Sequence, residues 1–148
     1  MIEDFQKHLA YNTQVKILNK LEGVDNDGNW YAGDQLRALR FYLIDAEIIA
    51  EATTGGYSGD VYAIIFCEDR FWLWRDGFGS CAGCDSLDGN NKEMGYEYIL
   101  ATMTSVKEFD TISDLFNYLD HPEDYLYDMD VLKEDLKKDS LKWIKENR

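Results

Sequence analysis

The chain has 148 residues and a formal net charge of −14, from 29 acidic and 15 basic side chains. Its length fits one domain, residues 1–148, and a hydrophobic content of 45% is enough for one core, which excludes an extensively disordered chain. A charge of this sign is repelled by phosphate backbones and anionic membranes, which excludes direct binding to nucleic acid or to a membrane surface. The acidic surface then serves either solubility alone or the binding of a basic site on another protein.

The first residues lack the pattern of a signal peptide. Glu3 and Asp4 stand where basic residues followed by a long apolar run are required. Apolar stretches such as residues 61–67 are too short to cross a bilayer. We therefore expect a cytoplasmic protein.

Apolar residues at helical spacing predict two helical regions in the first third of the chain. The first region covers residues 2–21, as one helix or as two helices divided at Asn12 and Thr13. The second covers residues 33–45, where Leu36, Leu39 and Leu43 lie on one side of the predicted helix.

The composition then changes to short runs rich in β-branched and aromatic residues, which are typical of strands. Three such runs cover residues 47–53, 60–67 and 71–75, and Glu68 and Asp69 form a tight reversal between the last two. We therefore expect these strands to form an antiparallel meander.

Helical spacing returns in the C-terminal half of the chain. It predicts three helices, over residues 92–104, 111–119 and 129–146. Residues 106–109 are predicted to form a short fourth strand. Asp110 or Thr111 is the expected N-cap of the second of these helices. The order of elements predicts an α+β fold, in which N- and C-terminal helices pack on one face of a small antiparallel sheet of three or four strands.

The most specific local motif is the pair Cys81 and Cys84 in the cysteine loop, which we define as residues 77–91. Two thiolates at this spacing in a glycine-containing turn both reach one tetrahedral ion, so the pair is half of a typical zinc site. The expected cofactor is a structural Zn²⁺. Two other interpretations stay open: unliganded thiols, and a thioredoxin-type redox pair, although residues 85–91 lack the helix start that such a pair requires.

Asp60 and His121 are the candidates for the remaining zinc ligands. Asp60 lies at the same end of the predicted hairpin as the start of the cysteine loop, and His121 lies in a turn between helices. Cys67 lies at the other end of the hairpin, so we expect it in the core. Asp60 has a second interpretation as a turn cap that accepts hydrogen bonds from loop N–H groups.

A second feature is the acidic segment, residues 120–135, in which seven acids are opposed by one lysine, Lys133. Carboxylates steer the encounter with a basic surface, and aromatic side chains supply the buried anchors of an interface. We expect five of its residues to contact a partner protein: Glu123, Asp124, Tyr125, Tyr127 and Asp128. The alternative is a solvated turn whose tyrosines cover the core.

No arrangement of nucleophile, base and orienting group is evident in the sequence. The two histidines, His8 and His121, are far apart, and no phosphate-binding glycine loop is present. We therefore expect a binding protein without catalytic residues, and not an enzyme.

Residues 57–62 and 72–85 carry a resemblance to a known family. They read Tyr-Ser-Gly-Asp-Val-Tyr and Trp-Leu-Trp-Arg-Asp-Gly-Phe-Gly-Ser-Cys-Ala-Gly-Cys-Asp. This pattern resembles a family of small proteins of phages and bacterial mobile elements, whose hallmark is a Gly-Ser-Cys-x-Gly-Cys-Asp loop after a hairpin. In size, acidity and lack of catalytic residues the chain is also similar to phage anti-CRISPR proteins, including those that inhibit Cas9, which implies an inhibitor that binds a basic nuclease surface.

The predicted function is therefore that of an anti-CRISPR-like inhibitor with a structural zinc loop, acting in the cytoplasm of a bacterial host cell. Its expected partner is a basic nucleic-acid-binding protein such as Cas9. An immunity-type protein that neutralises a nuclease toxin is the first alternative, because it would need the same charge. A thiol oxidoreductase or small metalloenzyme is the second, because it would use the cysteine pair.

Overall fold

The computed structural model describes the following residues: 30–43, 45–54, 59–79, 87–123 and 125–147. The predicted helix over residues 2–21 lies outside this part of the chain. Cys81, Cys84 and Asp124 lie outside it too.

The centre of the fold is a four-stranded antiparallel sheet. Its strands follow one another in space as they do in the chain: β1 Glu47–Thr53, β2 Gly59–Cys67, β3 Arg70–Phe78 and β4 Lys107–Phe109. The predicted meander and the short fourth strand are confirmed.

A tight turn of Glu68 and Asp69 joins β2 to β3, between the paired residues Cys67 and Arg70. Both turn residues have positive φ angles, 53° and 61°, as the central residues of a type I′ turn do. The twist of such a turn matches that of the strands, so the hairpin continues in regular register to its open end. There, Asp60 lies opposite Gly77.

The described residues form four α-helices: α1 Gln35–Tyr42, α2 Lys92–Thr102, α3 Ile112–Asp120 and α4 Met129–Asn147. A 3₁₀ helix, Met103–Ser105, follows α2. Of the two predicted N-caps of α3, Thr111 is the one observed, because its hydroxyl oxygen accepts a 3.0 Å hydrogen bond from the backbone N–H of Asp114. Among these helices none is long and apolar enough to span a membrane.

Helices cover both faces of the sheet, so the expectation of helices on one face is wrong. Successive side chains of β2 point into two different cores: Val61 and Ala63 into the first, Tyr62 and Ile64 into the second. The first core is completed by α1 and α2, and the second by α3 and α4. A strand that is buried on both faces needs a continuous apolar run instead of an alternating one, and β2 has that run.

Trp30 packs closely on α2 at Gly95. A Cβ atom added at position 95 would lie 2.3 Å from Nε1 of Trp30 and 2.8 Å from Oη of Tyr42. The same indole Nε1 donates a 3.0 Å hydrogen bond to Oη of Tyr42, which in turn donates to the carbonyl oxygen of Lys92. The absence of a side chain at Gly95 therefore allows Trp30 to join α1 to α2.

Candidate partner-binding site at the α3–α4 connector

The connector between α3 and α4, residues 121–128, is held by two side chains of the sheet. Oη of Tyr62 donates a 2.6 Å hydrogen bond to the carbonyl oxygen of Tyr127. Nη1 of Arg75 donates a 3.1 Å hydrogen bond to the carbonyl oxygen of Tyr125. Tyr62 and Arg75 are directly paired across β2 and β3. Two neighbouring positions of the hairpin thus fix two nearby backbone groups of the connector.

The side chains of Tyr125 and Tyr127 remain exposed to solvent, by 74% and 52%. Their rings make an edge-to-face contact, with centroids 4.8 Å apart and planes at 87°. The guanidinium carbon of Arg75 lies 5.8 Å from the centroid of the Tyr127 ring. Leu126 and Met129, and not these tyrosines, pack into the second core. The interpretation of the two tyrosines as a cover for the core is therefore wrong.

A cavity of about 570 Å³ lies beside this tyrosine pair, between the end of α3, the connector and the first turn of α4. Five of its lining residues are apolar: Leu119, Pro122, Leu126, Met129 and Val131. The other four are Tyr125 and the acids Glu123, Asp128 and Asp130. The cavity thus combines an apolar wall with carboxylates.

Charged groups are concentrated around the bonds that hold the connector. Burial raises the pKa of Asp60, nearby Arg75 opposes that rise, and Asp128 adds to it. Burial also raises the pKa of the Tyr62 hydroxyl to about 12, with a further contribution from the charge of Asp60. Tyr62 is therefore a neutral hydrogen-bond donor at any physiological pH.

The candidate zinc ligands divide between described and undescribed parts of the chain. The pairing of Asp60 with Gly77 confirms that Asp60 lies at the hairpin end where the cysteine loop begins. His121 is exposed and follows the last residue of α3. Within the described residues, no group of three or more His, Cys, Asp or Glu side chains is arranged to hold a metal ion. Cys81 and Cys84 lie outside them, so the zinc site stays a prediction from sequence.

Cys67 is where the sequence predicts it, in the core. It is 1% exposed and belongs to the first core. It also lies next to the turn of the hairpin, at the opposite end from Asp60. The strand length between these two ends separates Cys67 from the start of the cysteine loop.

The predicted partner-binding residues are brought together, with two additions from the sheet. Glu123, Tyr125 and Asp128 line one cavity, and Tyr127 contacts Tyr125, whereas Asp124 lies outside the described residues. The sequence does not predict Tyr62 and Arg75 as part of the site. They precede the carbonyl groups that they bind by 65 and 50 residues, and a local sequence pattern does not reveal contacts over such distances. One signal for Tyr62 does exist: a hydroxyl in an otherwise apolar buried strand needs a hydrogen-bond partner.

Comparison of the chain with protein-family models, with curated proteins and with solved structures finds no match in any of the three. The chemistry of the connector and its cavity is therefore the basis for assigning a function. That chemistry is exposed aromatic surface surrounded by carboxylates.

Proposed function

We propose that this chain is an acidic, anti-CRISPR-like inhibitor that binds a basic surface of a nucleic-acid enzyme such as Cas9, in the cytoplasm of a bacterial host cell. The contact is made by the connector and the start of α4. The observation that carries the proposal is the exposed pair Tyr125 and Tyr127, whose backbone is held by Arg75 and Tyr62 while the rings face solvent.

A pair of aromatic rings held in this way suits the centre of a protein interface. Large aromatic side chains are enriched among the residues that supply most of the binding free energy. The hydrogen bonds from Tyr62 and Arg75 order the connector before any partner arrives. Binding then loses less conformational entropy than it would with a segment that must first be ordered.

The acids of the acidic segment have two different roles. Asp120 is part of the scaffold, because Nζ of Lys137 lies 2.6 Å and Nζ of Lys133 lies 3.5 Å from its Oδ1. The hydrogen bond from Lys137 also lowers the pKa of Asp120. Glu123 and Asp128 differ from it, because in the described part of the chain no lysine or arginine forms an ion pair with them. Their charge is available to steer a basic partner towards the tyrosine pair.

A structural zinc ion bound by Cys81 and Cys84 belongs to the same proposal, as a staple for the cysteine loop. The spacing of the two cysteines supports it, and so does the position of Asp60 at the hairpin end where that loop begins. Asp60 and His121 remain the proposed further ligands.

The decisive experiment measures association and dissociation rates between the immobilised chain and a panel of purified enzymes at several salt concentrations. The panel contains Cas9 proteins loaded with guide RNA and, for the immunity-type alternative, nuclease toxins. We expect a Cas9 to bind with an association rate that falls as salt rises, because steering by exposed charge is screened. Binding of a nuclease toxin alone, or of no enzyme in the panel, would contradict the proposal.

Two substitutions locate the contact in that assay. Tyr125→Ala and Tyr127→Ala should mainly speed dissociation, because they remove buried anchors. Tyr31→Ala is the matched control, since Tyr31 is 64% exposed and lies outside the connector. Equal effects of all three substitutions would remove the connector from the interface.

A further inference from the structure

We infer that the cavity between α3, the connector and α4 is a pocket for an arginine side chain of the partner. The inference rests on the proposed function, because it names the group on the basic partner that this site recognises. The cavity holds about 570 Å³ and is partly open to solvent, and its volume is in the range of small-ligand pockets. This volume exceeds what one side chain fills, so the residues next to the arginine enter with it.

The wall of the cavity suits the aliphatic part of a basic side chain. Leu119 and Met129 contribute from the core side, and both are buried. Val131 is 74% exposed at the outer side of the cavity, so apolar surface there is still in contact with water. Long basic side chains place their methylene groups on such surface and keep the charged group near the polar edge.

The carboxylates complement the charged end of that side chain. Glu123 lies on the connector, and Asp128 and Asp130 lie at the start of α4. Among the described residues, none of the three forms an ion pair with a lysine or arginine. The N-terminus of α4 offsets part of the charge of Asp128 and Asp130. Glu123 lies off the helix, so its charge keeps its full effect on a cation in the cavity.

The aromatic residue of the lining favours arginine over lysine. A guanidinium group stacks on an aromatic ring and forms paired hydrogen bonds with a carboxylate, whereas an ammonium group is a more strongly hydrated point charge. Tyr125 lines the cavity. The neighbouring ring, Tyr127, already has the guanidinium of Arg75 within 5.8 Å of its centroid. The tyrosine pair thus has one ring beside an arginine of its own chain and one residue in the lining of the cavity.

The test is a titration of the full, isotope-labelled chain with three capped tripeptides, followed by amide chemical shifts. The peptides have alanine on each side of arginine, lysine or citrulline, the last being the neutral counterpart of arginine. We expect saturable shifts in residues 119–131 with the arginine peptide, weaker binding of the lysine peptide and no saturable shifts with the citrulline peptide. Equal responses to arginine and citrulline, or shifts confined to other regions, would overturn the pocket.

Matched variants separate this site from the general charge of the chain. Glu123→Gln combined with Asp130→Asn should weaken binding of the arginine peptide by about tenfold or more, equivalent to about 1.4 kcal/mol. Glu97→Gln combined with Asp139→Asn removes the same charge from exposed positions on α2 and α4 and should leave binding nearly unchanged. Asp128 is kept in both, so that each pair of substitutions removes two carboxylate charges and differs only in their position.

The peptide titration contains no enzyme, so its outcome is separate from that of the enzyme panel. If a Cas9 binds in the enzyme panel but the arginine peptide does not bind in the titration, the arginine pocket is overturned and the proposed function is not. Peptide binding at residues 119–131 without any bound enzyme supports the pocket and overturns the proposed function. Equal weakening by the two pairs of substitutions also overturns the pocket, since general charge would then account for the binding.

Discussion

The hydroxyl of Tyr62 donates a 2.6 Å hydrogen bond to the carbonyl oxygen of Tyr127, across a sequence separation of 65 residues. Tyr62 lies in the second core, and Tyr127 lies in the connector on the surface. This bond makes the position of the candidate binding site depend on a residue in the middle of the sheet. A substitution at Tyr62 therefore tests the scaffold of the site without changing any exposed side chain.

Tyr62→Phe should lower the free energy of unfolding by about 1–2 kcal/mol, because the carbonyl of Tyr127 loses its donor while the ring is retained. Urea denaturation followed by circular dichroism gives the measurement. Tyr31→Phe is the control, since it removes a hydroxyl from an exposed ring and should change stability by less than about 0.5 kcal/mol. Equal effects of the two substitutions would mean that the bond does not hold the connector.

The alkaline stability of the chain should depend on the same hydroxyl. Burial raises the pKa of Tyr62 from 10.0 to about 12, so the unfolded chain loses this proton at a lower pH than the folded chain. The stabilising contribution of neutral Tyr62 is complete below pH 10 and is lost as the pH rises towards 12. The free energy of unfolding should fall more steeply over this interval in the unsubstituted chain than in Tyr62→Phe. Parallel curves would contradict the raised pKa.

The elements of the sheet are predictable because they depend on local sequence. β1 has the predicted bounds, and Glu68 and Asp69 form the predicted reversal. The covering of both faces of the sheet also has a local signal in the sequence, since β2 is a continuous apolar run and not an alternating one. The order of elements alone predicts helices on one face, because it does not show which face of the sheet each helix covers.

The contacts that build the candidate site are less predictable. The alternation of acids and tyrosines identifies the connector as a candidate contact surface, but Arg75 and Tyr62 reach it only through the folded sheet. No local pattern specifies which sheet residues a connector will meet. The two bonds follow from the packing of α3 and α4 on the second core, which is a property of the whole chain.

Substitutions in the turn between β2 and β3 should raise the stability of the protein. Glu68 and Asp69 both have positive φ angles, which costs about 1 kcal/mol for each residue that carries a Cβ atom. Replacing them with Asn and Gly, the preferred pair of a type I′ turn, should raise the free energy of unfolding by about 1–2 kcal/mol. Chemical denaturation measures the change. Glu68→Ala combined with Asp69→Ala is the control: it removes the same two charges but keeps both Cβ atoms, and a similar gain from it would attribute the effect to charge.

Gly95→Ala should destabilise the protein, although alanine forms helices better than glycine. The added Cβ atom would lie 2.3 Å from Nε1 of Trp30, so the indole or the helix must shift within the first core. We expect a loss of about 1–3 kcal/mol by thermal or chemical denaturation. Gly77→Ala is the control, because among the described residues a Cβ atom there meets one backbone oxygen, at 3.7 Å. A gain in stability from Gly95→Ala would contradict the close packing of Trp30 on α2.

The purified protein should contain about one zinc ion per chain if the cysteine pair is a structural site. Cys81→Ser and Cys84→Ser should each remove the metal and lower the melting temperature, since a structural zinc contributes to folding. Cys67→Ala is the control, because the loss of a buried core side chain should lower stability but leave the metal bound. Elemental analysis that finds no metal in protein purified without chelator would end this prediction.

The two bonds that anchor the connector end on carbonyl oxygens, which every type of residue carries. The side chains at positions 125 and 127 are therefore separable from the anchoring of their own backbone, and mutation at either position leaves both acceptors in place. Under the proposed function such positions are an advantage, because recognition of an enzyme surface can be changed there without altering the scaffold. A library randomised at these two positions should consist mostly of folded members, from which binders of altered specificity can be selected.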